Sequence, residues 1–105
     1  MTCIKAIIRP DQEADVVHRL EAVGIFAMTK WDVLGRGRQR GIQVGGSVYS
    51  ELPKLCLLLV VEETLVSPAI DAIMQGARTG RPGDGRIFVS DVKATHTIRT
   101  GQADA

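Results

Sequence analysis

Four segments of the chain have the apolar patterns of β-strands. Thr2 to Ile8 and Phe26 to Leu34 alternate between unlike positions, whereas Leu55 to Val61 is a short continuous apolar run. Alternation is typical of a strand with two different faces, and a continuous run suits a central strand that is covered on both sides. A fourth strand is predicted from about Arg86 to Lys93, before a polar tail.

Two segments between these strands have helical periodicity. The first begins at Asp11, carries acidic residues in its first turn and ends before Gly24, and the second has Ser67-Pro68 as a helix start. The order strand, helix, strand, strand, helix, strand predicts an α+β, ferredoxin-like βαββαβ fold with a four-stranded antiparallel sheet. The apolar stripes comprise Val16, Val17, Leu20 and Val23 in the first helix and Ala69, Ile70, Ile73, Met74 and Ala77 in the second.

The two helices cover one face of such a sheet and leave the other face open. We expect the open face to carry residues such as Ile4, Met28 and Trp31. Large exposed apolar patches are uncommon on monomers. The pattern therefore predicts an oligomer in which copies of the chain bury this face.

Composition indicates one ordinary domain spanning residues 1–105, with 45% hydrophobic residues. The net charge of +1 argues against a polyanion recognised by the whole surface, so any anion site must be local. The chain contains no apolar run of about 18 residues and no signal-like N-terminus, which predicts a cytoplasmic protein without direct membrane insertion.

The cysteines and histidines do not form a recognisable metal or catalytic motif. Cys3 and Cys56 lie in apolar stretches and have no second ligand at the spacing of a zinc site. They are expected to be buried free thiols, with a disulfide or redox pair as the alternative. His18 and His96 have no partner nearby in sequence, so they are interpreted as surface or structural residues.

Eight of the 11 glycines fall in two connections, five between Gly35 and Lys54 and three between Thr79 and Arg86. The sequence GRGRQRG places Arg36, Arg38 and Arg40 among glycines, so that backbone amides and guanidinium groups can approach one anion. A solvated loop with incidental charge is the alternative.

The second connection reads TGRPGDGR and suggests a cradle for a phosphate chain. Arg81 and Arg86 supply charge, and the backbone N–H groups of Thr79, Gly80, Gly83 and Gly85 are available in principle. A tight turn that uses glycine for its dihedral angles is the alternative. Neither loop has the form of a Walker or Rossmann motif. Together the two loops predict a polyphosphate ligand.

Three motifs then resemble the PII nitrogen-signalling family, in the right order and over essentially the whole chain. TGRPGDGRIFVSDV is similar to the B-loop signature, GRGRQRG followed by ELPK resembles the stems of the T-loop, and IRTG resembles the C-loop. This resemblance divides the domain into a T-loop at 36–53, a B-loop at 79–86, and a C-loop and tail at 97–105.

The resemblance implies a homotrimer that binds ATP or ADP in three clefts between neighbours and 2-oxoglutarate beside Mg-ATP. It implies a sensor with no catalytic residue. The oxoacid would meet Gln39, Gly41 and Lys54, and Gln39 would also meet the Mg²⁺ held by ATP. The nucleotide-binding residues that it implies are Ile7, Thr29, Gly35, Gly37, Arg38, Gln39, Val60, Thr79, Gly83, Asp84, Gly85, Arg86 and, from the neighbouring subunit, Arg99.

The chain departs from the common pattern in four places. Its T-loop is several residues shorter, Thr97 stands where many members carry a second arginine, Arg86 replaces a usual lysine, and Pro82 stiffens the B-loop. The short loop looks most like the nitrogenase-associated branch of the family. That branch implies a protein target, nitrogenase, and a second PII-like chain as a further partner.

Other functions share parts of this pattern. RNA-recognition domains have the same element order, but only 4% of residues here are aromatic and the run LCLLLVV has no ring to stack a base, so no nucleic acid is expected. A phosphotransfer enzyme would need a nucleophile and base, which His18 and His96 do not provide. A PII-like sensor of another adenine nucleotide, acting on a different metabolic or transport target, remains the alternative.

Overall fold

The computed structural model describes residues 1–36, 42–44, 47–49 and 51–104. The strands are β1 (Thr2–Ile8), β2 (Thr29–Gly35), β3 (Ile42–Val44), β4 (Ser47–Tyr49), β5 (Leu52–Val61), β6 (Gly85–Asp91), β7 (Thr95–His96) and β8 (Ala103–Asp104), and the helices are α1 (Glu13–Ala22) and α2 (Val66–Ala77). The main sheet is antiparallel in the order β2-β5-β1-β6. The ferredoxin-like fold predicted from the sequence is confirmed.

Two small hairpins were not predicted from the sequence. β3 pairs with β4 within the connection between β2 and β5, and β7 pairs with β8 in the segment interpreted as a polar tail. Strands of two or three residues are too short for alternation to reveal them.

Several predicted boundaries shift by a few residues. Residues Pro10–Gln12 form a 3₁₀ turn, so α1 begins at Glu13 rather than Asp11. β2 begins at Thr29 rather than Phe26 because the helix end uses the intervening residues: Gly24 has φ +87°, and the Ile25 N–H donates to the Leu20 carbonyl at 2.9 Å. Neither α1 nor α2, nor any other helix in the described ranges, is long and apolar enough to cross a bilayer.

The core lies between the sheet and the two helices. Ile4, Ala6 and Ile8 of β1 pack there with Leu57 and Leu59 of β5, and all five side chains are almost fully buried. The expectation that Ile4 lies on the open face is therefore wrong, because the even-numbered residues of β1 face the helices. Met28 also packs against the core. In α1 only Val16 and Leu20 are fully buried.

The open face of the sheet carries the odd-numbered residues of β1. The strand register aligns Trp31 with Cys56 and Ile7, and it aligns Lys5 with Phe88 on β6. Trp31 is 39% exposed and Phe88 is 50% exposed. This half-exposed apolar surface is the face that the sequence predicted to be buried by neighbouring copies.

The cysteines are free, with Cys56 buried and Cys3 half-buried. Burial raises the pKa of the Cys56 thiol. Cys3 pairs with Val60, and Cys56 pairs with Ile7, four residues further along β1, so the two thiols are offset by about 13 Å along the strands. A disulfide within one chain is excluded by this separation.

Candidate functional site

The loop from Thr79 to Arg86 is organised around the carboxylate of Asp84. Its Oδ2 accepts hydrogen bonds from the backbone N–H groups of Thr79 at 2.8 Å and Gly80 at 2.9 Å. Its Oδ1 accepts from the Thr79 hydroxyl and from Arg9 Nε, the latter at 3.1 Å. The Thr79 hydroxyl above all, with the backbone amides and Arg9, holds the pKa of Asp84 well below its ordinary value.

Two backbone amides that were predicted from the sequence to be available to a phosphate have a different partner in the structure. The N–H groups of Thr79 and Gly80 donate to Asp84 instead. A carboxylate would repel a phosphate, but here its charge is turned into the loop and met by four donors. The Arg81 N–H also donates within the loop, to the Thr79 hydroxyl at 3.2 Å, so the nearby cations are the main groups that can face an anion.

Arg9 and Lys54 fasten this loop to the sheet. Arg9 Nη2 donates to the carbonyl of Pro82 at 2.6 Å, and Lys54 Nζ donates to the carbonyl of Gly83. A Cβ atom at Gly35 would lie 3.0 Å from Lys54 Cγ, so the lysine stem runs against the end of β2. The start of β5 with the end of β2, the loop at 79–86 and the end of β1 therefore meet at one end of the sheet.

The electrostatics at this end favour an anion. The Lys54 side chain is buried, with 9% of the residue exposed. Burial, followed by the charge of Arg9, lowers the pKa of Lys54, and Asp84 and Asp11 oppose that shift. Arg9 forms an ion pair with Asp84 at 3.1 Å, whereas Lys54 donates to the Gly83 carbonyl and feels the charges of both Arg9 and Asp84. An incoming carboxylate or phosphate would relieve the repulsion between Arg9 and Lys54.

Gly85 allows the loop to enter β6 directly beside β1. Its φ is +109°, and a Cβ atom there would lie 1.7 Å from the carbonyl oxygen of Ile7, which no side chain can occupy. The next residue, Arg86, pairs with Ile7 and is exposed on the open face. Glycine at position 85 thus lets β6 start beside Ile8, and this start places Arg86 next to Ile7 on the open face.

A second group of predicted site residues lies at the opposite end of the open face. Thr29 pairs with Leu58, and Val60 lies two residues further along β5 on the same face. β6 ends here as well, and the Val92 N–H donates to the carbonyl of Met1 at 3.1 Å. The C-terminal segment that carries Arg99 therefore leaves the sheet at this end.

The predicted site residues thus separate into two groups that one chain does not bring together. Val60 lies six positions after Lys54 along β5, which corresponds to about 20 Å in an extended strand. We name the two groups by their position. The B-loop end comprises Ile7, Gly35, Lys54, Thr79, Gly83, Asp84, Gly85 and Arg86, and the C-terminal end comprises Thr29, Val60 and Arg99; Gly37, Arg38, Gln39 and Gly41 lie outside the described residues.

The cavity beside the B-loop end is small. It measures about 230 Å³ and is lined mainly by α2 and β6, including Met74, Arg78 and Ile87. Pockets that enclose a ligand usually measure roughly 300–1,000 Å³. Another recess, of about 400 Å³, runs along α1 and is acidic, with Asp11, Glu13 and Glu21 in its wall, so it disfavours a phosphate. Within the described ranges no three His, Cys, Asp or Glu side chains converge to hold a metal.

Sequence reasoning missed Arg9. The signal was available, because in a βαββαβ sheet the end of β1 lies beside the starts of β5 and β6, where Ile8 pairs with Leu55 and Gly85. Arg9 follows Ile8 and so falls between Lys54 and Asp84. His18 and His96 are exposed, as interpreted from the sequence.

Comparison with known proteins identifies the family. The family described as nitrogen regulatory protein P-II matches residues 1–102. The chain is 50% identical over 102 residues, 97% of both chains, to "Nitrogen fixation nifHD1 region GlnB-like protein 1" of Methanosarcina barkeri. It is 46% identical over 100 residues, 95% of both chains, to the nifHD region glnB-like protein 1 of Methanococcus maripaludis.

A further relative carries the family's general name. "Nitrogen regulatory protein P-II 1" of Methanothermobacter thermautotrophicus is 45% identical over 106 aligned positions, which cover 97% of this chain and 92% of the relative. P-II proteins are characteristically trimeric regulatory proteins rather than enzymes, and the family generally binds ATP or ADP and 2-oxoglutarate. With a family match over residues 1–102 and relatives at this identity, the chain belongs to the P-II family of nitrogen regulatory proteins.

Proposed function

We propose that this chain is a P-II signalling protein that senses ATP or ADP together with 2-oxoglutarate and regulates nitrogenase through its T-loop. The observation that carries the proposal is the separation of the site residues into two groups at opposite ends of one open sheet face. A ring of three copies joined head to tail would bring the B-loop end of one copy against the C-terminal end of the next.

In such a cleft each end has a different task. Ile7 and Gly35 of one copy, with Thr29 and Val60 of its neighbour, would enclose the adenine. Thr79, Gly83 and Gly85 would border the phosphates and ribose, and Asp84 would hold the loop in shape. Arg86 would supply charge to the phosphates from one side and Arg99 from the other.

The effector part of the proposal rests on Lys54. This buried ammonium has three donors, of which one is used by the Gly83 carbonyl, and the Arg9 guanidinium lies nearby. A carboxylate of 2-oxoglutarate would satisfy the remaining donors, with Gln39 and the Gly41 backbone as its other partners. Mg²⁺, held by ATP phosphates and Gln39, would offer coordination positions to the oxoacid. Oxoacid binding is then coupled to ATP and weak with ADP.

The nitrogenase target is supported by the names of the relatives, several of which refer to nitrogen fixation nifHD regions. The T-loop stem is closed by an ion pair between Arg36 and Glu51 at 3.3 Å, immediately after the last β2–β5 pair. A loop mounted in this way beside Lys54 can transmit occupancy of the site to a protein partner. Inhibition of purified dinitrogenase by this chain, alone or with a second PII-like chain, and relief by ATP with 2-oxoglutarate, would test the target.

Complementation between damaged subunits tests the shared cleft. Arg86→Ala removes a cation from the B-loop end and Arg99→Ala removes one from the C-terminal end, and each homotrimer is expected to bind ATP roughly 10- to 100-fold more weakly. Trimers that contain both variants should regain one intact cleft of the three, measured by calorimetry. Arg19→Ala is the matched control, because Arg19 bonds Asp15 and Gln75 on the two helices and lies away from the sheet face. Mixed trimers without recovered sites would show that both arginines act within one chain.

A ligand titration separates the proposed effectors from the alternative. We expect 2-oxoglutarate to bind in the presence of Mg-ATP and not with ADP, and Gln39→Ala to lose oxoacid binding while retaining ATP. Equal oxoacid affinity with both nucleotides would contradict the sensing scheme. Tight binding of AMP without any oxoacid response would instead identify a PII-like sensor of another adenine nucleotide.

A further inference from the structure

The C-terminal segment forms a closed hairpin. β7 and β8 pair through Thr95 with Asp104 and His96 with Ala103. The Thr97 N–H donates to the Gln102 carbonyl at 2.9 Å, and the Gly101 N–H donates to the Thr97 carbonyl at 2.7 Å. The tip of the hairpin, residues 98–100, is therefore held by a ladder that lies entirely within the segment.

A single carboxylate joins the two strands of this hairpin. Asp104 Oδ2 accepts a hydrogen bond from the Thr95 hydroxyl at 3.0 Å. The Thr97 hydroxyl lies 2.9 Å from Asp104 Oδ1 and 3.2 Å from Oδ2. Thr97 is the residue that stands where many family members carry an arginine, and its hydroxyl has a defined partner here. We call this arrangement of Thr95, Thr97 and Asp104 the threonine clasp.

The side chains at the tip of the hairpin are exposed. Ile98 is 98% exposed, and Arg99 is exposed and forms no salt bridge with any carboxylate in the described ranges. A flexible segment would lose conformational entropy when Arg99 bound a phosphate, whereas a hairpin that is already closed loses less. Closing the hairpin would therefore favour phosphate binding by Arg99 without any contact between the clasp and the ligand.

We propose that Asp104 is a positioning residue for nucleotide binding, closing the C-terminal hairpin so that Arg99 is presented to the neighbouring subunit's cleft. This inference rests on the proposed function. In this inference Thr97 does not replace the cationic contact of the arginine found there in many family members. It instead helps to order Arg99 through its bond to Asp104.

The test measures ATP affinity by calorimetry for the trimer of residues 1–105 in the wild-type form and in three variants. Asp104→Ala removes both acceptors and is expected to weaken ATP binding roughly fivefold by opening the hairpin. Asp104→Asn keeps a carbonyl acceptor and should recover most of the affinity. Asp71→Ala, which removes an exposed carboxylate from α2, is the matched control and should bind as the wild type does.

A double-mutant cycle shows whether Asp104 acts through Arg99. In an Arg99→Ala background, Asp104→Ala should have no further effect on ATP affinity. Additive losses, or wild-type affinity in Asp104→Ala, would overturn the positioning role while the shared cleft stands. Dissociation of the Asp104→Ala trimer in sedimentation would also overturn it, because Asp104 would then be an assembly residue.

Hydrogen exchange on the nucleotide-free protein tests the hairpin separately. The Thr97 and Gly101 amides should be protected in the wild type and lose protection in Asp104→Ala. Unprotected amides in the wild type would contradict the closed hairpin itself. A wild-type trimer that binds no adenine nucleotide, yet has protected amides, would instead contradict the proposed function and this inference together.

Discussion

The B-loop and the C-terminal hairpin are each organised by an aspartate of their own, but the two segments are anchored differently. Asp84 collects donors from its own loop and from Arg9 at the end of β1, and Lys54 adds a bond from β5. Asp104 collects donors from Thr95 and Thr97, which belong to its own hairpin. The B-loop is thus part of the sheet framework, whereas the hydrogen bonds of the clasp lie within the hairpin itself.

Gly85→Ala should have the largest effect, because it attacks the junction of the B-loop with the sheet. A methyl group 1.7 Å from the Ile7 carbonyl forces β6 away from β1, and we expect a loss of more than about 3 kcal/mol in the free energy of unfolding, measured in urea. Gly101→Ala is the matched control in the hairpin. It has φ +73° but open space around it, so it should cost about 1 kcal/mol. Equal losses would erase the proposed difference in anchoring.

Lys54→Met should separate the effector from the nucleotide. The substitution removes the buried ammonium while filling the same space against Gly35, so 2-oxoglutarate affinity should fall about 100-fold, roughly 2.7 kcal/mol. ATP affinity should change much less, because Arg9 still holds the Pro82 carbonyl. Lys93→Met, at an exposed position after β6, is the control in calorimetry. Unchanged oxoacid affinity would remove Lys54 from the site.

Asp84→Asn should reveal the anchoring of the B-loop through pH. Because the pKa of Asp84 is lowered in the folded chain, its contribution to stability is fully present above the ordinary aspartate value of 3.8 and is lost as pH falls below it. At neutral pH the variant should lose about 1–2 kcal/mol of unfolding free energy. The difference in unfolding free energy between wild type and variant, measured in urea, should shrink as pH falls below the ordinary aspartate pKa. A pH-independent difference would contradict this assignment.

Asp104→Ala should have the smallest effect on global stability. The hairpin can open locally without exposing the core. The free energy of unfolding measured in urea should therefore change by less than about 0.5 kcal/mol. The same variant would still lose amide protection in the hairpin. A loss as large as that of Asp84→Asn would show that the C-terminal hairpin is as much a part of the framework as the B-loop.

Much of the fold followed from local pattern, and the exceptions have physical reasons. The continuous run in β5 and the stripe of α2 identified central elements because burial leaves few alternatives to apolar residues there. The face of Ile4 was assigned wrongly because alternation reports two faces without saying which one the helices cover. β3, β4, β7 and β8 are too short for any periodicity.

The candidate site was harder to predict than the fold. Motif order pointed to the loops, but the grouping of Thr29 with Val60, far from Lys54, depends on strand register. The use of the Thr79 and Gly80 amides by Asp84 depends on loop conformation that residue types do not specify. Arg9 could have been found only by combining the topology with the sequence.

β5 carries a constraint on how this molecule can evolve. Lys54 and Val60 lie on the open face of one strand with an odd number of residues between them. Inserting or deleting one residue between these positions would turn one of the two side chains toward the core. Changes in length are therefore confined to places such as the 36–51 connection, where loop closure is far more tolerant. The fixed spacing along β5 and the tolerance of the connection before it are two consequences of the same sheet geometry.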